Sequence, residues 1–202
     1  MSGDSVRIGY PRWESSIPPA PGDLRIIQAF VNTHDVEADK DDVGTPLELT
    51  AWLRRWQLIE AEDSVSPAEA RQAHDLREGL CELMLANNGE PKDPDRLVRL
   101  EKALQELPLR GRLVREGRFE LVGVTEGWGR AAGRLLTIAV LAIGDGSWSK
   151  LKACRRVDCQ WVFFDASKNR SRSWCSMKAC GNLMKARAYR QRLRDRDVTA
   201  AK

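Results

Sequence analysis

From Leu24 onward the chain repeats apolar residues every three or four positions, with short polar interruptions between the repeats. Leu24, Ile27, Phe30 and Val31 recur at helical spacing, so LRIIQAFVNTH predicts a helix with one buried face. The acidic stretch that follows, DVEADKDDVG, breaks the periodicity and reads as a loop. Thr45-Pro46-Leu47-Glu48 offers an N-cap hydroxyl, a proline at the first helical position and a glutamate three residues on, which together make a capping box. Ser66-Pro67-Ala68-Glu69 repeats that chemistry, and Asp93-Pro94 opens a third start without the box. The predicted helices run about Pro46 to Leu58, Pro67 to Asn87 and Pro94 to Leu107. The second carries Leu76, Leu80, Leu83 and Met84 on one face and stops at Asn87-Asn88-Gly89.

Between Leu109 and Thr125 the period shortens to two. Leu113 and Val114, the turn Arg115-Glu116-Gly117-Arg118, then Phe119, Leu121 and Val122 predict a β-hairpin. A last body helix runs about Gly129 to Ile143 and closes at Gly144. Its apolar run, Leu135 to Ile143, is far shorter than the roughly 20 residues a membrane span requires. With 202 residues, 42% of them hydrophobic, the chain suits one domain, or a domain plus a small module. Residues 1–22, rich in Pro and Ser, read as an arm; they lack the apolar core of a secretory signal, which places the protein in the cytoplasm.

Charge divides the chain. Residues 1–149 hold 18 Lys+Arg against 25 Asp+Glu, net −7, whereas residues 150–202 hold 15 against 4, net +11. A cationic module on an acidic body points to nucleic acid or another anionic surface as partner.

Five cysteines in a chain without an export signal point to metal or redox chemistry over a disulfide framework. Cys154 and Cys159 are separated by four residues, as are Cys175 and Cys180, with fifteen between the pairs. Two such knuckles, brought together by an intervening hairpin, would set four soft thiolates about 2.3 Å from one zinc ion. Buried free thiols, a dithiol redox pair and an iron–sulfur cluster are the alternatives, each less suited to this spacing. An all-cysteine ligand set leaves no open position for water, so the metal is read as structural. Trp161, Phe163 and Trp174 are expected to form a miniature core beside it.

Basic residues decorate this frame. Lys150, Lys152, Arg155 and Arg156 lie at the first knuckle, Lys168, Arg170 and Arg172 in the connection, and Lys178 at the second knuckle. Beyond Cys180, Lys185, Arg187, Arg190, Arg192, Arg194 and Arg196 recur in a polar helix. Arg155, Arg156, Lys168, Arg170, Arg172, Lys178, Lys185, Arg187 and Arg190 are the candidate phosphate contacts.

At residues 175–182, CysSerMetLysAlaCysGlyAsn, with Trp161 to Ser167 (WVFFDAS) before it and Arg172-Ser173-Trp174 adjoining, the sequence resembles the CGNR zinc-finger family. Upstream, Phe30-Val31-Asn32-Thr33, Thr45-Pro46 and Trp52-Leu53 resemble the ABATE domain that accompanies this finger in bacterial stress-induced transcription regulators. The family tetrad reads Cys180-Gly181-Asn182-Leu183 here, with leucine replacing arginine; Lys185 and Arg187 lie within about a helical turn to compensate. The resemblance implies an α+β chain: an arm over 1–22, a mainly helical ABATE-like domain with a small hairpin over 23–147, and a CGNR-like module over 148–202. That module would be a zinc ribbon or treble clef ending in a basic helix.

The other residues weigh less. Asn32, Thr33 and His34 end an apolar helix face and are candidates to line a small-ligand pocket, with a satisfied helix terminus as the plainer reading. Trp52 and Trp56, four apart, are expected to pack together, and Cys81 reads as a core thiol. No catalytic constellation is present, so the chain is not read as an enzyme. The leading expectation is a DNA-binding regulator with one structural zinc, a ligand-sensing body and a homodimeric state; RNA binding, or a finger that docks on an acidic partner such as the chain's own body, are the rivals.

Overall fold

A computed structural model describes residues 17–113, 117 and 119–200. Residues 1–16 of the arm, and residues 114–116 and 118 of the predicted hairpin, lie outside the described residues. The first helix, α1 (Leu24–Val31), stops short of the expected end: Asn32 turns its side chain to Val162, and the Thr33 hydroxyl donates back to the Phe30 carbonyl of the last turn. The acidic stretch holds two short antiparallel strands, β1 (His34–Asp35) and β2 (Lys40–Asp41), with His34 opposite Asp41. A strand pair with no apolar face leaves no period for sequence to display. It is pinned by Arg77, a buried arginine whose guanidinium meets Asp41 in two hydrogen bonds of 2.7 Å and reaches the Thr33 hydroxyl at 3.1 Å.

Three helices start where their caps predict: α2 (Pro46–Arg55), α3 (Pro67–Asn87) and α4 (Pro94–Gln105). Both capping boxes are closed, Glu48 N–H donating to Thr45 Oγ1 at 3.2 Å and Glu69 N–H to Ser66 Oγ at 3.3 Å. Trp52 and Trp56 pack with ring centroids 5.7 Å apart.

The hairpin pairs β3 (Leu109–Leu113) with β4 (Phe119–Gly123), Leu109 opposite Gly123, and β4 lies against α5 (Trp128–Gly144). Strand and helix backbones touch directly. A Cβ on Gly133 would fall 2.7 Å from the Gly123 nitrogen, and one on Gly123 would fall 2.1 Å from the Gly129 carbonyl oxygen. Thr137 of α5 then completes the strand edge, accepting from Leu121 N–H at 2.8 Å and donating to its carbonyl at 3.0 Å. Helix α5 continues through Gly144, and the left-handed residue that follows is Gly146.

The C-terminal part contains a third antiparallel pair, β5 (Leu151–Ala153) with β6 (Val162–Phe164), then a π-helical turn (Met177–Gly181) and the final helix α6 (Asn182–Ala200). Among the described residues, six α-helices with small antiparallel pairs make the chain α+β. None of the helices among the described residues is long and apolar enough to cross a membrane.

The C-terminal hairpin is built into the body. Leu151, Ala153 and Val162 are buried in the same apolar cluster as Ile27, Phe30, Leu76 and Leu135. Asn32 reads the Val162 backbone like a strand partner, donating to its carbonyl at 2.9 Å and accepting from its N–H at 2.7 Å, while Gln28 donates to the same carbonyl at 3.2 Å. At the end of α3, Asn87 donates to the carbonyls of Trp148 and Leu151, and Asn88 to those of Ala153 and Ser173. The residues that stop α3 therefore also hold the neighbouring hairpin. Asn32→Ala strands a buried Val162 N–H, at a cost of about 1–3 kcal/mol. Urea unfolding followed by far-UV circular dichroism is expected to show that loss, with the zinc content unchanged.

Candidate metal centre and basic helix

The four cysteines predicted to bind metal converge. Their sulfurs all lie within 4.8 Å of one another, and Cys159, Cys175 and Cys180 are mutually 3.6 Å apart. A tetrahedron with 2.3 Å metal–sulfur arms has edges of about 3.8 Å, so the set fits one zinc ion. All four are buried.

Local structure explains how a four-residue gap serves a site that more often uses two. Cys154 and Cys159 sit in the loop that joins β5 to β6, closed by Cys154 N–H donating to the Trp161 carbonyl at 3.0 Å. There Cys159 and Gln160 both donate to the Arg156 carbonyl, and Gln160 takes a left-handed φ of 54° to bring the chain back into β6. Cys175 and Cys180 are brought round by the π turn, in which Gly181 N–H reaches the Ser176 carbonyl at 3.0 Å, a bond between residues five apart. The expectation of a hairpin lying between the knuckles is corrected: the hairpin carries the first knuckle as its own turn, and its second strand, β6, leads into a loop that reaches the second knuckle.

That loop is held by an ion pair that sequence reasoning missed. Lys152 Nζ spends its three donors on Asp165 Oδ2 at 2.8 Å, the Arg170 carbonyl at 2.6 Å and the Arg172 carbonyl at 3.3 Å. Asp165, fully buried, also accepts from Arg172 N–H, Ser167 N–H and the Ser167 hydroxyl. Burial alone would raise its pKa, but Lys152 and Ser167 outweigh it and hold the carboxyl down at about 2. In the metal cluster, hydrogen bonds from Cys159 and Cys175 favour the Cys154 thiolate, while that thiolate and burial push the Cys159 thiol up. Four thiolates at this separation need a cation to coexist. By contrast, burial pushes the lone Cys81 thiol up to about 12, in keeping with a core residue.

The miniature core forms, but the body shares it. Phe163 is buried with the cysteines, Trp161 and Trp174 are partly buried against them, and Ile17, Ala29, Trp52 and Trp56 complete the cluster. The Arg172 guanidinium lies 4.7 Å from the centre of the Phe163 ring and donates to the carbonyls of Trp174 and Cys175.

The nine candidate phosphate contacts separate into two groups. Arg172 is spent inside the finger, Arg155 pairs with Glu90 of the body, and Arg156, buried, pairs with Glu37 and with Asp158. The finger thus docks on its own acidic body through two arginines. Lys168, Arg170, Lys178, Lys185, Arg187 and Arg190 are exposed; among these, Arg187 lies 3.6 Å from Asp158 and Arg170 donates to Ser149 at 3.3 Å. Lys185, Arg187 and Arg190 stand on α6, as do Arg192, Arg194 and Arg196, and every residue from Lys185 to Arg196 is exposed. Leu183, at the position of the family arginine, is half-buried in the first turn of that helix.

Asn32, Thr33 and His34 do not form a pocket together. Asn32 is taken up by Val162, Thr33 by Phe30 and Arg77, and His34 lies 3.7 Å from Glu78, whose carboxylate raises its pKa. A cavity of about 450 Å³ opens beside them, lined in part by Phe30, Asp41, Leu49, Arg71 and His74.

A helical body that carries a four-thiolate zinc centre, with a basic helix leaving that centre, is the architecture of a zinc-finger protein. The chain matches the ABATE family model, described as "Putative stress-induced transcription regulator", over residues 24–145, and the CGNR zinc finger over residues 150–193. It belongs to the ABATE family and carries a CGNR zinc finger at its C-terminal end. No curated protein matches it.

Metal analysis is expected to return one zinc per chain and Cys175→Ser to lose it; because Ala29 and Trp52 share the finger's core, chelation is expected to change the near-UV circular dichroism of the body as well. Asp165→Leu leaves Lys152 charged and buried, at a cost of about 3–5 kcal/mol in thermal unfolding. Because the folded Asp165 pKa lies below the ordinary value, its contribution is complete above about pH 4 and fades as pH falls toward 2.

Proposed function

We propose that this protein is a transcription regulator that binds duplex DNA through the basic helix its zinc centre holds in place. The observation that carries this reading is α6: six cations between Lys185 and Arg196 against one acid, Asp195, all exposed. Three of the cations nearer the zinc are occupied by the protein itself, so α6 is the main cationic surface left for a partner. RNA binding by base stacking is less well supported, since Trp161 and Phe164 are half-buried against the core and offer no open platform.

Fluorescence anisotropy with the zinc-loaded full chain tests the reading. Duplex affinity is expected to fall with salt at about 0.9 in log–log slope for each phosphate neutralised, and to exceed affinity for single-stranded RNA at the same salt. Preference for RNA, or no salt-dependent binding to duplex, would overturn it; the latter would favour a finger whose partner is protein.

A further inference from the structure

The cations of α6 are not spread evenly around the helix. At 100° per residue, Lys185, Arg192 and Arg196 fall within about 40° of one another, and Arg187, Arg190 and Arg194 within about 60°. The centres of the two groups are roughly 170° apart, so the helix carries two cationic ridges on opposite sides. The ridge from Lys185 to Arg196 extends about 16 Å along the axis, a little under five base-pair steps at 3.4 Å each.

The two edges between the ridges differ. One holds Ala186, Tyr189 and Leu193, with Tyr189 and Leu193 both exposed. The other holds Met184, Gln191 and Asp195, and Gln191 donates to Asp195 at 2.8 Å. The finger meets the helix between the Arg187 ridge and this second edge: Leu183 and Met184 are half-buried in the first turn, and Arg187 reaches Asp158 of the first knuckle. The Tyr189 edge therefore faces away from the protein.

We infer that α6 enters the major groove of duplex DNA along its length, with one ridge on the phosphates of each strand and the Tyr189–Leu193 edge toward the bases. The inference rests on duplex DNA being the partner. A helix with its side chains is about 10–12 Å across and the major groove about 12 Å wide, so ridges on opposite sides meet opposite walls. A helix lying on one strand would use a single ridge. Chemistry sets which edge faces inward: Leu193 and the Tyr189 ring suit thymine methyl groups, and the finger leaves that edge clear.

The test uses the full zinc-loaded chain and a duplex it selects from a random pool. K185Q/R192Q/R196Q is expected to lower the salt slope by about 2.7 and R190Q/R194Q by about 1.8, since both ridges touch phosphate. Zinc content and helicity are read for each variant, and single substitutions R192Q and R194Q, each expected to lower the slope by about 0.9, replace any combination that loses either. Replacing thymine by uracil is expected to weaken the wild type severalfold and to leave Y189A/L193A unchanged. A slope lowered by one ridge alone, or by neither, overturns groove insertion while leaving DNA binding standing. Equal response of wild type and Y189A/L193A to uracil, or failure to select any sequence, overturns the base-facing edge. Absence of duplex binding by the wild type defeats the DNA reading itself.

Discussion

Four thiolates within 4.8 Å of one another cannot share a buried site without a cation, and much of the C-terminal architecture follows from that constraint. A bound zinc removes the repulsion and turns two short loops into one rigid unit. The finger has too few residues to make an apolar core of its own, so the metal supplies the closure and the body supplies the missing surface. Ala29 and Trp52 from the first two helices, and Trp56 just past the second, pack on the cysteine cluster, and Leu151, Ala153 and Val162 pack into the body. The metal centre and the helical core are thus continuous.

Docking is polar as well as apolar, and its polar part is costly to disturb. Asn32, Gln28, Asn87 and Asn88 satisfy backbone groups of the C-terminal hairpin that would otherwise be buried unpaired. Arg155 and Arg156 add ion pairs to Glu90 and Glu37, a local match between the −7 body and the +11 tail. The same contacts have a consequence for function. Cations engaged with the body are withdrawn from any outside anion, while Lys168, Arg170, Lys178 and the cations of α6 stay exposed.

Lys152 and Asp165 connect these roles. They fix the loop between the knuckles to β5 with every donor and acceptor used, so the second cysteine pair arrives in register with the first. A buried charged pair fully satisfied in this way costs little to keep and much to break. It gives the short finger a second fastening beside the metal.

Sequence alone determined the features that depend on near neighbours in the chain. Capping boxes at Thr45 and Ser66, the start of α4 at Asp93, the apolar stripe of α3 and the paired cysteine spacing act within a few residues, so their physics is written locally. The family resemblance was legible for the same reason, in motifs at Phe30 to Thr33 and Trp161 to Asn182. Only the tertiary structure decided what those residues do across distance. Asn32, read as a helix end or pocket residue, became a clamp on Val162, 130 positions away. Arg155 and Arg156, read as phosphate contacts, became internal ion pairs, and Lys152 found Asp165. A polar side chain carries no period and no local signature of its partner; burial and the fold choose that partner, and so settled which charges stay inside and which remain for another molecule.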